Sequence, residues 1–331
     1  MERRSFLRTT AIGSMAGALA TTVTHGAEQG TTGIRRSFSV DAHRVRIYCD
    51  AVKSPARILV VADTHLFTDD ERGEPYRQFS ARMAAAYNQT QHFLTGEPTN
   101  PELAFASILK HATEHDFDFL ALVGDIFSFP SEAAIDLVTE KLAAAETKYL
   151  YVAGNHDWHY EGQKGSLDEL RTAWTESRLK HLYQGQSPLM AHYDVGDVRI
   201  VAIDNSTYQI LPQQLAFLRT QIATGKPLVL TVHIPLFAPG RSMGFGCGNP
   251  AWGAANDRNF DLERRPRWPE AGHTSTTFDF HREVFRAPNM LGVFAGHTHR
   301  SSLDVIDGIP QVVTDDNASG GFTELEILPA G

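Results

Sequence analysis

Five short apolar runs in this sequence of 331 residues each end in a block of polar side chains. The runs span residues 58–62, 119–123, 149–153, 228–232 and 291–295. An apolar run of this length that stops at polar residues is typical of a buried strand in a sheet covered on both faces. Helical patterns at 101–115, 132–145 and 212–222 separate several of the runs. This alternation indicates a layered α/β fold.

The polar blocks carry side chains that bind metal ions. They are Asp63-Thr64-His65, Gly124-Asp125, Gly154-Asn155-His156-Asp157, the single His233, and Gly296-His297-Thr298-His299. Ligands of open α/β sheets bind beyond the carboxyl ends of the strands, so we expect these blocks to meet at one place. Carboxylate and imidazole donors without a thiolate suit Zn, Fe, Mn or Ni. The sequence therefore predicts a metal site, with donors enough for two ions.

Individual roles follow from the residue types. Asp63 and His65 are two residues apart on an extended segment and point the same way, so both can bind one ion. An aspartate at the centre of the cluster, Asp125, can bridge two ions with one oxygen on each. His156 need not be a ligand, because a histidine beside the metals can protonate the leaving oxygen. We expect Asp157 to accept a hydrogen bond from His156 and to fix its tautomer.

The order of the blocks resembles that of the calcineurin-like metallophosphoesterase family over about residues 56–303. The resemblance implies a four-layer sandwich of two mixed β-sheets flanked by α-helices, and two metal ions drawn from Fe, Zn, Mn and Ni. It implies one ion on Asp63, His65, Asp125 and His299, and a second on Asp125, Asn155, His233 and His297. It also places His156 at the family's catalytic histidine. The chain departs from the family at Ser128, where Asp or Asn is frequent, and the lack of a tyrosine there disfavours the purple acid phosphatases.

The amino terminus predicts export by the twin-arginine route. Arg3-Arg4 precede a bulky apolar pair and a mild apolar stretch at 11–23, the layout of a signal peptide over residues 1–27. That stretch is too short and too rich in Gly, Thr and Ala for a stable membrane span. We expect a periplasmic or extracellular protein whose partner during export is the twin-arginine translocase.

Domain organisation follows from composition and from the resemblance. We expect a linker over 28–37 and a single domain over 38–331, with insertions near 67–101 and 235–285. Further predicted elements are a strand over 40–51, helices over 76–94 and 168–182, a hairpin of 190–194 with 198–203, and closing strands within 302–327. The second insertion contains several aromatic residues and is predicted to form a lid beside the site. Pairing of Cys49 with Cys247 stays open, because their separation in space is unknown.

These observations predict an exported enzyme that hydrolyses a phosphate mono- or diester with a metal-activated hydroxide. The formal net charge of −9 disfavours long nucleic acid and leaves a small phosphorylated substrate. A cyclic-nucleotide phosphodiesterase or a nuclease on the same scaffold is one alternative, and a metal-bound scaffold without turnover is another. Asp204 and Asn205 end a further strand, where a turn and a direct role at the site are both open. Several arginines could bind phosphate: Arg241, Arg258, Arg264, Arg265 and Arg267.

Overall fold

Each of the five apolar runs forms a strand in the computed structural model, which describes residues 33–86, 90–238 and 273–331. The strands are β1 (Arg36–Asp41), β2 (Arg44–Cys49), β3 (Ala56–Val61), β4 (Thr90–Gln91), β5 (Pro98–Thr99), β6 (Phe119–Val123), β7 (Tyr149–Val152), β8 (Met190–Val195), β9 (Val198–Ile203), β10 (Leu228–Thr231), β11 (Met290–Ala295), β12 (Ser302–Ile306), β13 (Ile309–Val313) and β14 (Thr323–Pro329). The helices are α1 (Arg77–Ala86), α2 (Pro101–Glu114), α3 (Glu132–Ala145), α4 (Leu167–Thr175), α5 (Pro212–Ala223) and α6 (Ser275–Arg286). Three short 3-10 turns lie at Glu71–Tyr76, Lys180–Tyr183 and Asn317–Ser319.

Twelve of these strands form two mixed sheets of six. The order in the first sheet is β1-β2-β14-β3-β6-β7, and the order in the second is β12-β13-β11-β10-β9-β8. In the first sheet β3, β6 and β7 run parallel, while β14 is antiparallel to β3. In the second sheet β9, β10, β11 and β13 run parallel. The predicted architecture of two mixed sheets with flanking helices is confirmed, and each sheet brings its ligand-bearing strand ends to one edge.

Three apolar clusters hold the layers together. One packs α2, α3 and α4 against the outer face of the first sheet, through residues such as Phe105, Val138 and Leu122. The second lies between the sheets and includes Ile58 and Ile200. The third packs α5 and α6 on the outer face of the second sheet. The parallel strands are buried on both faces, which is why their sequences are continuous apolar runs without alternation.

Local capping explains where the helices of the first face begin. The side chain of Asn100 accepts a hydrogen bond from the Leu103 N–H, and Pro101 occupies the first helical position of α2. Ser131 caps α3 in the same way, by accepting from the Ala134 N–H. The sequence-predicted spans of these two helices and of α5 agree with the structure to within a residue.

Other predicted boundaries were wrong. The helix predicted over 76–94 ends at Ala86, and its last part belongs to the hairpin β4–β5. The strand predicted over 40–51 is the hairpin β1–β2, with Ala42 in a left-handed turn, and β1 takes in the end of the predicted linker 28–37. The helix predicted over 168–182 stops at Thr175. Within the predicted insertion 235–285, Ser275–Arg286 form α6.

Several sequence predictions fall on residues that the structure does not describe. The signal peptide over 1–27, residues 239–272 of the second insertion and the five arginines all lie there. Cys49 is buried in β2 and forms no disulfide with any described residue, and Cys247 lies outside the described residues. Across the described ranges, no helix combines the length and the apolar character needed to cross a bilayer.

Candidate metal centre

The ligand blocks leave their strands with an unusual backbone conformation. Asp63, His65 and Asp125 have φ angles of 55°, 54° and 51°, and His297 and His299 have 75° and 56°. The left-handed region is sparsely populated by residues other than glycine, and each such residue costs about 1–3 kcal/mol unless its surroundings compensate. Five predicted ligands therefore share a conformation that the surrounding structure must hold in place.

A backbone ladder supplies part of that support. The Asp63 and His65 N–H groups donate to the carbonyls of Gly124 and Asp125 at 3.0 and 2.9 Å, which continues the β3–β6 pairing past the ends of both strands. Glycine is required where the blocks pass each other. A Cβ on Gly154 would lie 2.1 Å from Asp125 Oδ1, closer than any contact a side chain can make.

Two groups of three acidic and histidine side chains lie at this edge. Within each group the possible ligand atoms are within 4.8 Å of one another: Asp63, His65 and His299 form the first group, and Asp125, His233 and His297 form the second. The structure thus brings together six of the predicted metal ligands. The grouping divides them as the family resemblance implies, with Asp125 placed here in the second group.

In the first group the ring nitrogens turn towards a common point. The Nε2 atoms of His65 and His299 are 3.0 Å apart, and Asp63 Oδ1 lies 3.5 Å from the Nε2 of His299. The other carboxylate oxygen of Asp63 accepts from the His297 N–H at 2.8 Å, which fixes the orientation of the carboxylate. Burial lowers the pKa of His65 well below its ordinary value, and the neighbouring His299 and His156 add to the shift. The imidazole is therefore neutral, which is the form that binds metal ions.

In the second group the backbone orients the histidine. His233 Nδ1 lies 3.0 Å from the Val123 carbonyl oxygen, to which an Nδ1–H would donate, and its Nε2 is 3.1 Å from Asp125 Oδ2. An outer hydrogen bond of this kind is usual for metal-binding histidines. Burial alone would lower the pKa of His233, but the Asp125 carboxylate raises it to about 9. The Asp125 carboxylate thus favours a positive charge at this position.

Unsatisfied buried oxygens show that a cation fits the site. Asp63 Oδ1 and Asn155 Oδ1 are buried and have no hydrogen-bond donor among the described residues. Burial raises the pKa of Asp63 well above its ordinary value, and the carboxylate of Asp125 adds to the shift. Buried carboxylates are costly unless they are paired or coordinate a metal. Oxygen and imidazole donors of this kind suit a divalent or trivalent transition-metal ion.

Comparison with known proteins settles the family. The sequence model of the calcineurin-like phosphoesterases matches residues 56–301, about three quarters of the chain. The chain belongs to the calcineurin-like phosphoesterase family. Membership and the two ligand groups make it a metal-dependent phosphoester hydrolase. No curated protein matches the sequence.

Solved structures add a likeness of fold. A dimetal phosphatase from Danio rerio is 11% identical, with a TM-score of 0.50 over 81% of this chain and 91% of that one. A purple acid phosphatase from yellow lupin (Lupinus luteus) is 14% identical, with a TM-score of 0.47 over 84% of this chain and 47% of that one. At such identities the first structure supports the phosphoesterase fold and nothing further.

The calcineurin-like site differs from the sequence prediction at Asp157. Its carboxylate accepts three backbone hydrogen bonds, from Gly154 at 2.7 Å, Phe127 at 2.8 Å and Asp125 at 3.0 Å. His156 Nδ1 instead lies 3.4 Å from the carbonyl oxygen of Ser128. The predicted hydrogen bond between Asp157 and His156 is therefore wrong. Asp157 connects the block after β7 to the block after β6 through these backbone hydrogen bonds.

His156 itself lies beside both groups. Its backbone N–H donates to Asp125 Oδ1 at 2.8 Å, and its ring meets that of His65 edge-on with 5.0 Å between centroids. The adjacent Asn155 is 5% exposed. The whole Gly-Asn-His-Asp block is thus held against the ligand carboxylate of Asp125.

Three residues with a part in the site were missed or left open by the sequence. Ser128, singled out only as a departure from the family, donates its hydroxyl to the His65 carbonyl at 3.0 Å. Tyr208 has a φ of 61° and packs its ring 5.8 Å from that of His297. Asn205 hydrogen-bonds the residue after His233. Only Asn205 had a signal in the sequence, namely its position just past a strand end.

Proposed function

We propose that this protein hydrolyses a phosphate mono- or diester of a small substrate at a centre of two metal ions. The observation that carries the proposal is the pair of ligand groups at adjoining strand ends of the two sheets. When bound, two ions supply Lewis acidity for the phosphoryl oxygens and lower the pKa of the water that attacks phosphorus. The protein's share is to hold the imidazole and carboxylate donors in fixed positions.

Asp125 and Asn155 are proposed to join the two positions. Burial alone would raise the pKa of Asp125, but His233 and His156 stabilise the carboxylate and hold its pKa well below the ordinary value. The group is therefore ionised and would help to hold both ions. Asn155 offers a neutral oxygen next to it, which adds a ligand to the second ion without adding charge.

His156 is the proposed general acid. Its ring lies beside His65 of the first group, and an Nδ1–H donated to the Ser128 carbonyl would fix the orientation of the ring. In the imidazolium form the ring would also carry a proton on Nε2, and transfer of that proton to the leaving oxygen of the ester would leave the neutral imidazole. The roles of the ligands and of His156 support hydrolysis and leave the choice between monoester and diester to experiment.

A panel assay tests the proposal. The full-length protein, loaded in turn with Mn, Fe or Zn, is given p-nitrophenyl phosphate, bis-p-nitrophenyl phosphate, 3′,5′-cyclic AMP and a short oligonucleotide. We expect hydrolysis of at least one of the two aryl esters together with two bound metal equivalents. Preference for the cyclic nucleotide or the oligonucleotide would favour the alternative esterases. Two bound equivalents without turnover on any of the four would refute the enzyme and favour the scaffold.

We also propose that the protein is exported by the twin-arginine route. The support is the sequence Arg3-Arg4-Ser5-Phe6-Leu7 with the apolar stretch that follows it. Replacing both arginines by lysine keeps the charge and should leave the precursor in the cytoplasm, as measured by fractionation. Export of the lysine variant at the wild-type level would contradict the route.

A further inference from the structure

The segment Asp204–Ser206 lies between the loop that carries Asn155 and the strand end that carries His233. It directly follows β9, and its three side chains are buried, with at most 1% exposure. None of the three belongs to either ligand group. Asn205 hydrogen-bonds to Ile234, the residue after His233, and Ser206 hydrogen-bonds to Trp158 in the loop that carries Asn155. The segment is therefore in a position to act on the metals through other residues.

Asn205 holds the strand end that carries His233. Its Nδ2 donates to the Ile234 carbonyl at 2.7 Å, and its Oδ1 accepts from the Ile234 N–H at 3.0 Å. Both backbone groups of the residue after His233 are therefore paired with one side-chain amide. On the other side, the His233 carbonyl accepts from the Gly296 N–H at 3.0 Å. The backbone of His233 is thus fixed between β9 and β11.

Ser206 holds the loop that carries Asn155. Its hydroxyl oxygen accepts from the Trp158 Nε1–H at 2.8 Å, and Trp158 is three residues from Asn155. The same hydroxyl donates to the carboxylate of Asp204. That carboxylate lies 3.7 Å from Arg171, whose side chain is 4% exposed, so a buried cation balances it.

One short segment thus forms hydrogen bonds to two loops that follow strands of different sheets. Asn155 follows β7 of the first sheet, and His233 follows β10 of the second. We propose that Asp204–Ser206 is the positioning element of the second metal site, setting the distance between Asn155 and His233 through Asn205 and Ser206. The inference rests on the proposed function in so far as it takes Asn155 to be a ligand of that site. In this proposal Asn205 and Ser206 are positioning residues and not ligands.

The structure offers a matched control for Asn205. Asn289 is also a buried asparagine of the second sheet, and its Nδ2 donates to the carbonyls of Ile222 and Lys226 at 3.1 and 2.7 Å. It precedes β11, at the end of the sheet remote from the ligand blocks. Asn205→Ala and Asn289→Ala therefore remove the same kind of buried amide, one beside the site and one far from it.

Metal titration of the full-length apoprotein tests the inference without any substrate. Mn²⁺ binding is followed by calorimetry, and the pairing of the two ions is followed by the spin-coupled signal in electron paramagnetic resonance. We expect Asn205→Ala to weaken the second Mn²⁺ by about 10–100-fold while the first is unchanged, the size found for outer-shell partners of metal ligands. Its coupled signal should give way to that of isolated Mn²⁺. Asn289→Ala should bind both ions as the wild type does.

Equal binding of the second Mn²⁺ by the two variants would overturn the inference, as would equal weakening of both ions in Asn205→Ala. Should Asn205→Ala fail to fold, Ser206→Ala removes the acceptor for Trp158 and leaves the Ile234 pair intact. A folded Ser206→Ala protein with wild-type affinity for the second ion would also overturn it. Failure of the proposed function looks different, because the wild type would then bind two Mn²⁺ and hydrolyse no ester while the contrast between Asn205 and Asn289 persisted.

Discussion

The layer between the two sheets and the ligand blocks at its edge are built on the same strands, yet they follow opposite rules. Ile58 and Ile200 of the inter-sheet layer are buried apolar residues within regular strands. Two residues beyond the ends of β3 and β6, Asp63 and Asp125 are equally buried, but they are acidic residues in the left-handed conformation. The change from a regular apolar strand to a buried acidic residue in the left-handed conformation occurs within two residues of each strand end.

The difference shows that the inter-sheet layer stabilises the fold, whereas the ligand blocks lower its stability. Burying apolar surface stabilises a fold by about 25 cal/mol for each Å². Left-handed ligands and buried carboxylates cost free energy, and they persist because the surrounding layers hold them. Substitutions in the inter-sheet layer should therefore change stability and spare activity, whereas substitutions of the metal ligands and of His156 should do the reverse.

The largest effect is expected for Asp125→Asn. An amide has one oxygen and can no longer offer a charged oxygen to each ion, so the variant should lose metal as well as activity. We expect turnover to fall by about 10³-fold or more, in line with the several kcal/mol that metal assistance supplies. Elemental analysis of the purified variant checks the cause, and two full metal equivalents would rule out the bridging role.

The next effect is expected for His156→Ala, which separates chemistry from metal binding. General acid catalysis contributes about 10²–10⁴-fold, so turnover should fall by that factor. Metal content should stay at the wild-type value, because His156 belongs to neither ligand group. Steady-state kinetics on the preferred aryl ester measures the change, and an unaltered rate would remove His156 from the mechanism.

Asp157→Asn should mainly affect folding. The carboxylate accepts hydrogen bonds from three backbone N–H groups, and an amide directs its own N–H₂ at one of them. An unsatisfied buried donor costs about 1–3 kcal/mol, so the free energy of unfolding should fall by that amount in urea titrations. If Asp157 acted instead through His156, the variant would keep its stability and show an altered pH–rate profile.

The smallest effect is expected for Ile200→Val in the inter-sheet layer. Loss of one buried methylene should lower the free energy of unfolding by about 0.5–1.5 kcal/mol. Metal affinity and turnover should match those of the wild type, because the strand keeps its place. A marked loss of activity in this variant would contradict the prediction that substitutions in the inter-sheet layer spare activity.

Much of the fold and the set of ligands could be predicted from the sequence, because both depend on local patterns. Continuous apolar runs indicate strands buried on both faces, and cap residues such as Asn100 and Ser131 mark where helices begin. Parallel strands end at one edge, so the donors that follow them were expected to meet. The hairpin β4–β5 was missed because the residues before it favour a helix and give no warning of the reversal.

The part that could not be predicted depends on approaches between distant segments. Asp157 and Phe127 are thirty residues apart. The sequence around Asp157 does not indicate that its carboxylate will accept hydrogen bonds from the backbone that follows β6. The amide pair between Asn205 and Ile234 spans 29 residues in the same way. The left-handed ligands are a further case, because Asp and His adopt that conformation here only under the constraint of the blocks around them.

The indole of Trp158 has a practical consequence. It is 1% exposed, lies one residue from Asp157 and donates a hydrogen bond to Ser206. We therefore expect the ultraviolet emission of Trp158, one of four tryptophans in the chain, to change when the loop that carries Asn155 is displaced. Loading of the site could be followed in real time by intrinsic fluorescence, without a dye, a chromogenic ester or any assumption about the natural substrate.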